Sequence, residues 1–190
     1  MRVHVDPRQP KLSYWAKVIG KALASPAVQV VVMYRISHVL YQNRLTRPFS
    51  FLLRSAAVVW GGTEIHPAAE IGPGLCLVHS QKILIAEGVR IGRNARISHG
   101  VSIGGDTGRG GPLSMAGWPT IGNNVTIALD SIVLGALTIG DEAFIGAQSF
   151  VVKDVPPRCV AMGSPARVVR KLTEEELDLI AQSDLTRPGD

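Results

Sequence analysis

The feature that most constrains the fold of this chain is an apolar residue that recurs every six positions. The series contains thirteen such residues, and two longer steps interrupt it. Its members are Ile65, Ile71, Leu77, Ile85, Ile91, Ile97, Ile103, Ile121, Ile127, Val133, Ile139, Ile145 and Val151. A period of six fits neither an α-helix nor an alternating strand. It is typical of a parallel β-helix that is built from hexapeptide turns.

Glycine often follows the apolar residue, and small residues suit the corners where such a chain turns. Three hexads form one triangular coil of about 18 residues, in which the branched side chains point inward and stack on those of the next coil. Successive coils should be separated by the inter-strand distance of ~4.8 Å. The sequence therefore predicts a mainly β fold, a left-handed parallel β-helix, over residues 63–172.

Two shorter regions flank the predicted β-helix. Residues 1–62 are basic and contain two apolar stretches that start with a proline, at Pro26 and at Pro48. Proline is favoured in the first turn of a helix, so we predict a small helical region there. Residues 173–190 open with a threonine and three acids, which favours a short capping helix followed by a tail.

The longest interruption of the repeat lies between Ile103 and Ile121, which are 18 residues apart. This step equals the length of one full coil, so we expect a glycine-rich loop at 105–118 to leave the β-helix and return without loss of register. Loops that leave a rigid scaffold often carry function.

The net charge of +5 is divided unevenly along the chain. Residues 1–60 contain nine Lys or Arg and one acid, whereas residues 61–190 contain eleven bases and fourteen acids. Basic helices with interleaved aromatic residues could lie on an anionic membrane surface, or they could pack on the rest of the protein. No recognition motif accompanies the charge, so we expect no nucleic-acid partner.

Cysteine usage and the first residues indicate the compartment. Cys76 and Cys159 form no CxxC pair and have no zinc-finger spacing, which is typical of reduced thiols and predicts no metal site. The opening MRVHVDPRQP lacks the apolar core of an export signal, and the apolar run AVQVVVM is too short to span a bilayer. We expect a cytoplasmic protein that could contact the inner face of the membrane.

Two histidines stand beside the expected loop. His79 follows Leu77 by two residues, and His99 follows Ile97 by two residues. Leu77 and Ile97 should occupy the third face of successive coils, so the histidines should lie one above the other, ~4.8 Å apart. Either histidine alone would be an ordinary corner residue, but two stacked imidazoles beside a loop indicate a functional site.

The segments EIHPAAEIGPGLCLVHS, SIGGDTGRGG and VPPRCVAMGSPARVV resemble the serine acetyltransferase branch of the hexapeptide-repeat acyltransferases. The resemblance covers about residues 33–170 and implies a homotrimer, whose trimers could pair, with acetyl-CoA as the donor and active sites between neighbouring subunits. His79 matches the general base of the family, and Glu64 stands where the family has an Asp that pairs with this base. The residues alone leave open whether His79 or His99 is the base.

The same resemblance implies a place for acetyl-CoA. Gly104, Gly105 and the following loop match the family's binding place for the pantetheine arm. The stretch GSPARVV matches the family's CoA-side tail. Its candidate residues are Gly163, Pro165, Ala166 and Arg167, with Arg170 and Lys171 as further partners for the phosphates.

The sequence departs from serine acetyltransferases on the acceptor side. Val78 stands where that family has an Asp, and Gly117-Trp118 stands where it has Arg-His, so two expected ionic partners of an amino acid are missing. His99 replaces a frequent Gln and resembles the exopolysaccharide branch, such as the colanic-acid acetyltransferases. Trp118 would suit the apolar face of a sugar ring, and Glu87, which the family shares, is a second acceptor-side candidate.

The sequence therefore favours an acetyl-CoA-dependent O-acetyltransferase that acts on a saccharide hydroxyl in exopolysaccharide or surface-glycan synthesis. A serine O-acetyltransferase of cysteine biosynthesis with an altered pocket is the alternative. A zinc lyase of the γ-carbonic anhydrase type would use the same coils but needs three converging imidazoles. A non-catalytic scaffold trimer, which would bind no CoA, is a further possibility.

Overall fold

The computed structural model of the protein describes residue 20, residues 24–105 and residues 117–183, with side chains to residue 180. Its helices are α1 (Pro26–Gln42), α2 (Arg47–Gly61) and α3 (Glu174–Ser183). The predicted helical region, β-helix and capping helix all have their counterparts here. Most of the predicted loop at 105–118 lies outside the described residues.

Fifteen short strands lie between α2 and α3 in the described part of the chain. They are β1 (Glu64–Ile65), β2 (Glu70–Ile71), β3 (Cys76–Val78), β4 (Leu84–Ile85), β5 (Arg90–Ile91), β6 (Arg96–Ser98), β7 (Ser102–Gly104), β8 (Thr120–Ile121), β9 (Thr126–Ile127), β10 (Ile132–Leu134), β11 (Thr138–Ile139), β12 (Phe144–Ile145), β13 (Phe150–Val151), β14 (Cys159–Gly163) and β15 (Ala166–Lys171).

The strands form three sheets, one for each face of the triangular coil. The first face holds β1, β4, β7, β10 and β13, the second holds β2, β5, β8 and β11, and the third holds β3, β6, β9, β12, β14 and β15. All neighbours pair in parallel except β14 and β15, which form an antiparallel hairpin. The predicted parallel β-helix is confirmed, and it ends in a hairpin that the hexad pattern did not indicate.

The hexad residues form the core of the β-helix. All thirteen are buried, and each contributes to a stack along one face, as when Ile65, Ile85 and Ile103 pair in successive coils. A second inward position lies two residues earlier, where Val89 and Val101 are fully buried. Because two of every six side chains enter the coil, the period of six is the direct consequence of its three-sided cross-section.

The chain keeps its hexad phase across the loop, as expected, but the 18-residue step does not correspond to one full coil. A loop of one full coil would place Ile121 over Ile103, but the structure pairs Ile103 with Val133 and Ile121 with Ile91. The chain leaves at the corner between the first and second faces and returns to the second face of the same coil. The loop therefore lies within a single hexad step and adds no coil. The inward residues before and after it remain stacked on the residues of their own face in the neighbouring coils.

The two N-terminal helices pack at the start of the β-helix. Tyr34 of α1 is buried, and its hydroxyl donates to the backbone oxygen of Ala69 at 2.7 Å. The guanidinium of Arg35 donates to the backbone oxygens of Ile71 and Gly72. Helix α2 ends at Gly61, and Gly62 then takes a left-handed conformation with φ of 62°. These contacts place the end of α2 beside β1 and therefore beside Glu64.

No helix in the described part of the chain is long and apolar enough to cross a membrane.

Candidate active site

The structure brings His79 and His99 together on the third face. Strands β3 and β6 pair in register, with Val78 opposite Ser98, so each histidine directly follows a paired residue. The two ring centroids are 6.3 Å apart, and the rings meet edge to face at an interplanar angle of 73°. The predicted placement of the two histidines one above the other in successive coils is confirmed, but the rings meet edge to face and lie farther apart than the expected ~4.8 Å. His79 is exposed and His99 is half-buried, so both can be reached from solvent.

His79 lies in a left-handed backbone conformation, with φ of 52°. The N–H of Gln81 donates to the His79 carbonyl at 2.6 Å, which closes a tight turn. Seven other non-glycine residues in the described part of the chain share this conformation at corresponding corners. The left-handed backbone therefore belongs to the turn of the coil and is not evidence of strain specific to a catalytic residue.

Glu64 lies next to this corner, but its carboxylate forms an ion pair with Arg54 of α2. The hydroxyl of Thr63 donates to the backbone oxygen of Ser80, which ties the start of β1 to the residue after His79. Glu64 and His79 are thus attached to the same corner. No sequence pattern indicates Arg54, because this residue lies on a helix whose packing angle decides the contact.

His66, which no sequence pattern singled out, lies in an aromatic cluster with Tyr41 and Phe51. Its Nδ1 accepts the N–H of Ala68 at 3.1 Å, which leaves Nε2 as the protonated nitrogen of the neutral ring. Nε2 lies 3.8 Å from a carboxylate oxygen of Glu87. Burial lowers the pKa of His66, and the positive charge of Arg54 lowers it further. The predicted acceptor residue Glu87 therefore stands beside His66.

Trp118 forms a wedge at the base of the loop. It is half-buried and packs against the core of the β-helix. A Cβ added to Gly88 would lie 2.4 Å from Cδ1 of the indole, and one added to Gly105 would lie 3.0 Å from its Cε3. The indole thus fills the space that two glycines leave open. The sequence predicted Trp118 at the acceptor but did not indicate this packing.

Gly104 and Gly105 begin the loop at the end of β7. A Cβ on Gly105 would lie 1.7 Å from the carbonyl oxygen of Gly117, so the two ends of the loop cross closely there. The carbonyl of Gly104 accepts the N–H of Gly135 at 3.1 Å in the next coil. The base of the loop is therefore fixed by backbone contacts.

The other predicted CoA residues lie on the β14–β15 hairpin. Gly163, Pro165 and Ala166 form its turn, and Arg167 is exposed. Arg170 donates to both carboxylate oxygens of Glu176 at 2.6 Å, and this pair lowers the pKa of Glu176 to about 2. The sequence offered Arg170 as a phosphate partner, but its guanidinium is already held by α3.

A shallow groove of about 450 Å³ lies on the second face. His38, Glu70, Arg90 and Asn123 contribute to its walls, and none of the predicted site residues does. Among the residues that the structure describes, no group of three or more His, Cys, Asp or Glu side chains could hold a metal ion.

Comparison with known proteins gives the family. No protein-family model matches the chain. The chain is 36% identical to the serine acetyltransferase of Helicobacter pylori over 152 residues, which cover 78% of this chain and 84% of that protein. It is 37% identical to the serine acetyltransferase of Synechococcus elongatus over 147 residues, 77% of this chain and 58% of that protein. The chain belongs to the serine acetyltransferase family.

Solved structures support the same assignment. Soybean serine acetyltransferase superposes with a TM-score of 0.71 at 36% identity, over 78% of this chain and 60% of the soybean chain. The Neisseria gonorrhoeae serine acetyltransferase superposes with a TM-score of 0.74 at 34% identity, over 84% and 59% of the two chains. The chain thus spans about three-fifths of these solved relatives.

The family confirms the predicted fold and the predicted enzyme class, an O-acetyltransferase that uses acetyl-CoA. One solved relative, from Brucella abortus, is a complex with coenzyme A, at 31% identity and a TM-score of 0.70 over 78% of this chain and 57% of that one. The relatives named above are serine acetyltransferases, so the comparison favours the alternative acceptor and gives no support to exopolysaccharide synthesis.

Proposed function

We propose that this protein transfers the acetyl group of acetyl-CoA to the hydroxyl of L-serine. The observation that carries the proposal is the edge-to-face pair of imidazoles, His79 and His99, at the corner between the third and first faces. The pair occurs in a chain that is 36% identical to a serine acetyltransferase over most of both lengths.

His79 acts as the general base in this proposal. A neutral imidazole accepts the hydroxyl proton as the acceptor oxygen attacks the thioester carbonyl, since imidazole is an effective base near neutral pH. The new C–O bond forms first, and the tetrahedral intermediate then breaks its C–S bond. The imidazolium returns the proton to the departing thiolate, so that CoA leaves as the thiol. His99 supports the ring of His79 by its edge-to-face contact.

Glu64 is proposed to stabilise the imidazolium of His79, as the acid does in a catalytic triad. Its ion pair with Arg54 holds the carboxylate beside the corner. Movement of the acid from the guanidinium to the imidazole is needed for this role, and both partners lie next to β1.

The donor is proposed to lie along the third face. In the sheet order, β14 is three strands beyond β6, which places the hairpin roughly 14 Å from the strand before His99. An extended donor such as acetyl-CoA could thus reach from the hairpin to the histidines. The pantetheine arm would lie against Gly163, Pro165 and Ala166, and Arg167 would bind a phosphate.

A saccharide hydroxyl is the second candidate acceptor. Val78, Gly117 and Trp118 provide none of the charges that the resemblance leads one to expect around an amino acid. The indole edge that is not packed on Gly88 could contact the apolar face of a sugar. This departure favours the second candidate, whereas the relatives favour serine.

We also propose that the protein forms a homotrimer, and exposed apolar side chains on the first face support this proposal. Leu84 and Ile132 point outward and are 40% and 44% exposed, in a sheet that also carries the half-buried Phe150. A second subunit would cover this apolar stripe. An active site between subunits would follow, because the first and third faces meet at the corner that carries His79.

We also propose that α1 and α2 can contact the surface of a membrane. Val39, Leu45, Phe49, Leu52 and Trp60 are exposed on α1, α2 and the turn between them. Residues 24–63 contain four arginines and no acid, which suits an anionic lipid surface. Co-sedimentation with phosphatidylglycerol vesicles, compared with phosphatidylcholine vesicles, measures it.

The test of the proposed reaction is the release of thiol from acetyl-CoA by the purified protein, with L-serine and with a panel of saccharides as acceptors. We expect turnover with L-serine, no detectable turnover by His79→Ala, and weakened turnover by His99→Ala. Gln148→Ala is the matched control, because Gln148 is exposed and has the same left-handed conformation in another coil. Wild-type activity of His79→Ala would remove His79 from the mechanism.

The same assay separates the two acceptors. Turnover on saccharides with none on L-serine would make the second candidate the function.

A further inference from the structure

The corner that carries His79 is two residues longer than most corners of the described coils. Leu77 and Ile85 are eight residues apart where most steps are six, and the two extra residues enlarge the turn of residues 79–82. The N–H of Lys82 donates to the carbonyl of Gly62 at 2.8 Å. Lys82 is therefore fixed at the end of the enlarged turn, with φ of 56° and an exposed side chain.

The charge of Lys82 is unbalanced within this corner. Among the residues that the structure describes, no carboxylate forms an ion pair with Lys82. Glu64, which lies opposite Leu84 in the sheet, contacts Arg54, and the carboxylate of Asp130 packs at Gly100 in a later coil. The corner thus presents one unneutralised ammonium group, three residues after the proposed base.

The neighbouring residues at which the family has charged partners supply no positive charge here. Val78, before His79, is apolar, and Gly117 and Trp118 at the end of the loop are uncharged. A neutral acceptor would gain less from the ammonium of Lys82, which could form with it only a hydrogen bond to an uncharged oxygen. An acceptor with a carboxylate close to its hydroxyl would gain a charge-assisted hydrogen bond, and the four-carbon stem of lysine can adjust to it.

We propose that Lys82 binds a carboxylate of the acceptor while His79 removes the proton from its hydroxyl. This inference rests on the proposed acetyl transfer. Two acceptors supply the same chemistry: the α-carboxylate of L-serine, and the carboxylate of a uronic acid in a saccharide.

Steady-state kinetics test the role of Lys82. In Lys82→Met the side chain keeps its length and loses its charge, and we expect about a tenfold rise in the KM for L-serine with kcat little changed. The KM for L-serinamide, which has no carboxylate, should not rise, and Lys82→Arg should restore most of the affinity for L-serine. Lys153→Met is the matched control, because Lys153 is exposed in another coil.

Three kinetic results would overturn the inference. An unchanged KM for L-serine in Lys82→Met would show that the ammonium does not bind the acceptor. An equal rise for L-serine and L-serinamide would show a structural effect on the turn. A rise in the KM for acetyl-CoA alone would assign Lys82 to the phosphates of the donor.

A binding measurement separates this inference from the reaction itself. Isothermal titration of the wild type and Lys82→Met with L-serine and with D-glucuronate needs no turnover. We expect the wild type to bind one of these carboxylates about tenfold more tightly than Lys82→Met does. Binding of neither carboxylate would refute the role of Lys82, even in a protein that acetylates a neutral saccharide. Binding without turnover would instead refute the acetyl transfer and leave the carboxylate site.

Discussion

Substitution of Gly88 by alanine tests the packing of Trp118 at the base of the loop. Gly88 has φ of 73°, in the left-handed region that favours glycine. The added Cβ would lie 2.4 Å from Cδ1, 2.6 Å from Cγ and 2.7 Å from Nε1 of the indole. The rigid ring cannot rotate away as a flexible chain would, so the indole must leave its position over the coil.

The expected loss of stability has two parts. Alanine in the left-handed region costs about 1–2 kcal/mol. Overpacking against the indole adds about 1–3 kcal/mol. The free energy of unfolding should therefore fall by about 2–5 kcal/mol, which lowers the Tm by about 4–20 °C for a chain of this size.

Gly62→Ala is the matched control for the backbone part. Gly62 has φ of 62°, but its added Cβ would meet no atom closer than 3.8 Å. Its substitution should thus lower stability by only about 1–2 kcal/mol. The assay is thermal and urea unfolding followed by circular dichroism on the three proteins.

A double variant isolates the contact with the indole. Trp118→Ala removes the ring, so Gly88→Ala should cost about 1–3 kcal/mol less in that background. Equal losses of unfolding free energy for Gly88→Ala and Gly62→Ala, or additivity in the double variant, would refute the packing of the indole against Gly88. We also expect Gly88→Ala to reduce acetyl transfer more than Gly62→Ala, because the displaced indole borders the loop.

Two further predictions concern the core and the pH dependence. Ile103→Ala should lower the free energy of unfolding by about 2–5 kcal/mol, because the side chain is fully buried. Leu45→Ala, at a position 84% exposed, should change the free energy of unfolding by less than about 0.5 kcal/mol. Equal effects of the two substitutions in urea unfolding would contradict the assignment of the core. The folded-state pKa of His66 is lowered by burial and by Arg54, so its contribution to stability is present above the unfolded pKa of about 6.5 and is lost as the pH falls through the folded pKa. The free energy of unfolding of the wild type should therefore fall more between pH 7 and pH 5 than that of His66→Asn. The asparagine side chain can still accept the N–H of Ala68. Parallel pH profiles of the two proteins in urea unfolding would show that His66 does not cause the pH dependence.

The repeat made most of the fold predictable. Because each inward side chain needs an apolar neighbour above and below it, the thirteen hexad residues could be recognised from spacing alone. The offset of 20 residues between Leu77 and Ile97 was also enough to place His79 beside His99. These relations are local to the coil, so they do not depend on how distant elements pack.

The loop shows where spacing ceased to be sufficient. An 18-residue step has the length of a coil, but Ile121 stacks on Ile91 and Val133 stacks on Ile103. Hexad phase is the same after a loop of any multiple of six, so the phase cannot tell on which face the chain resumes. Pairing of the strands decides it.

The surroundings of the proposed site were likewise beyond the sequence. Arg54 reaches Glu64, and Arg170 is held by Glu176, since α2 and α3 pack at particular angles on the coils. Trp118 packs over Gly88 from a position 30 residues away.

The sequence by itself determined the inward residues, the three-sided coil and the stacking of the two histidines, because a six-residue repeat fixes which side chains face the interior. Only the tertiary structure decided the exit and return of the loop, the partner of Glu64 and the position of the indole. Those contacts join elements whose relative placement depends on packing, and no spacing in the chain encodes it.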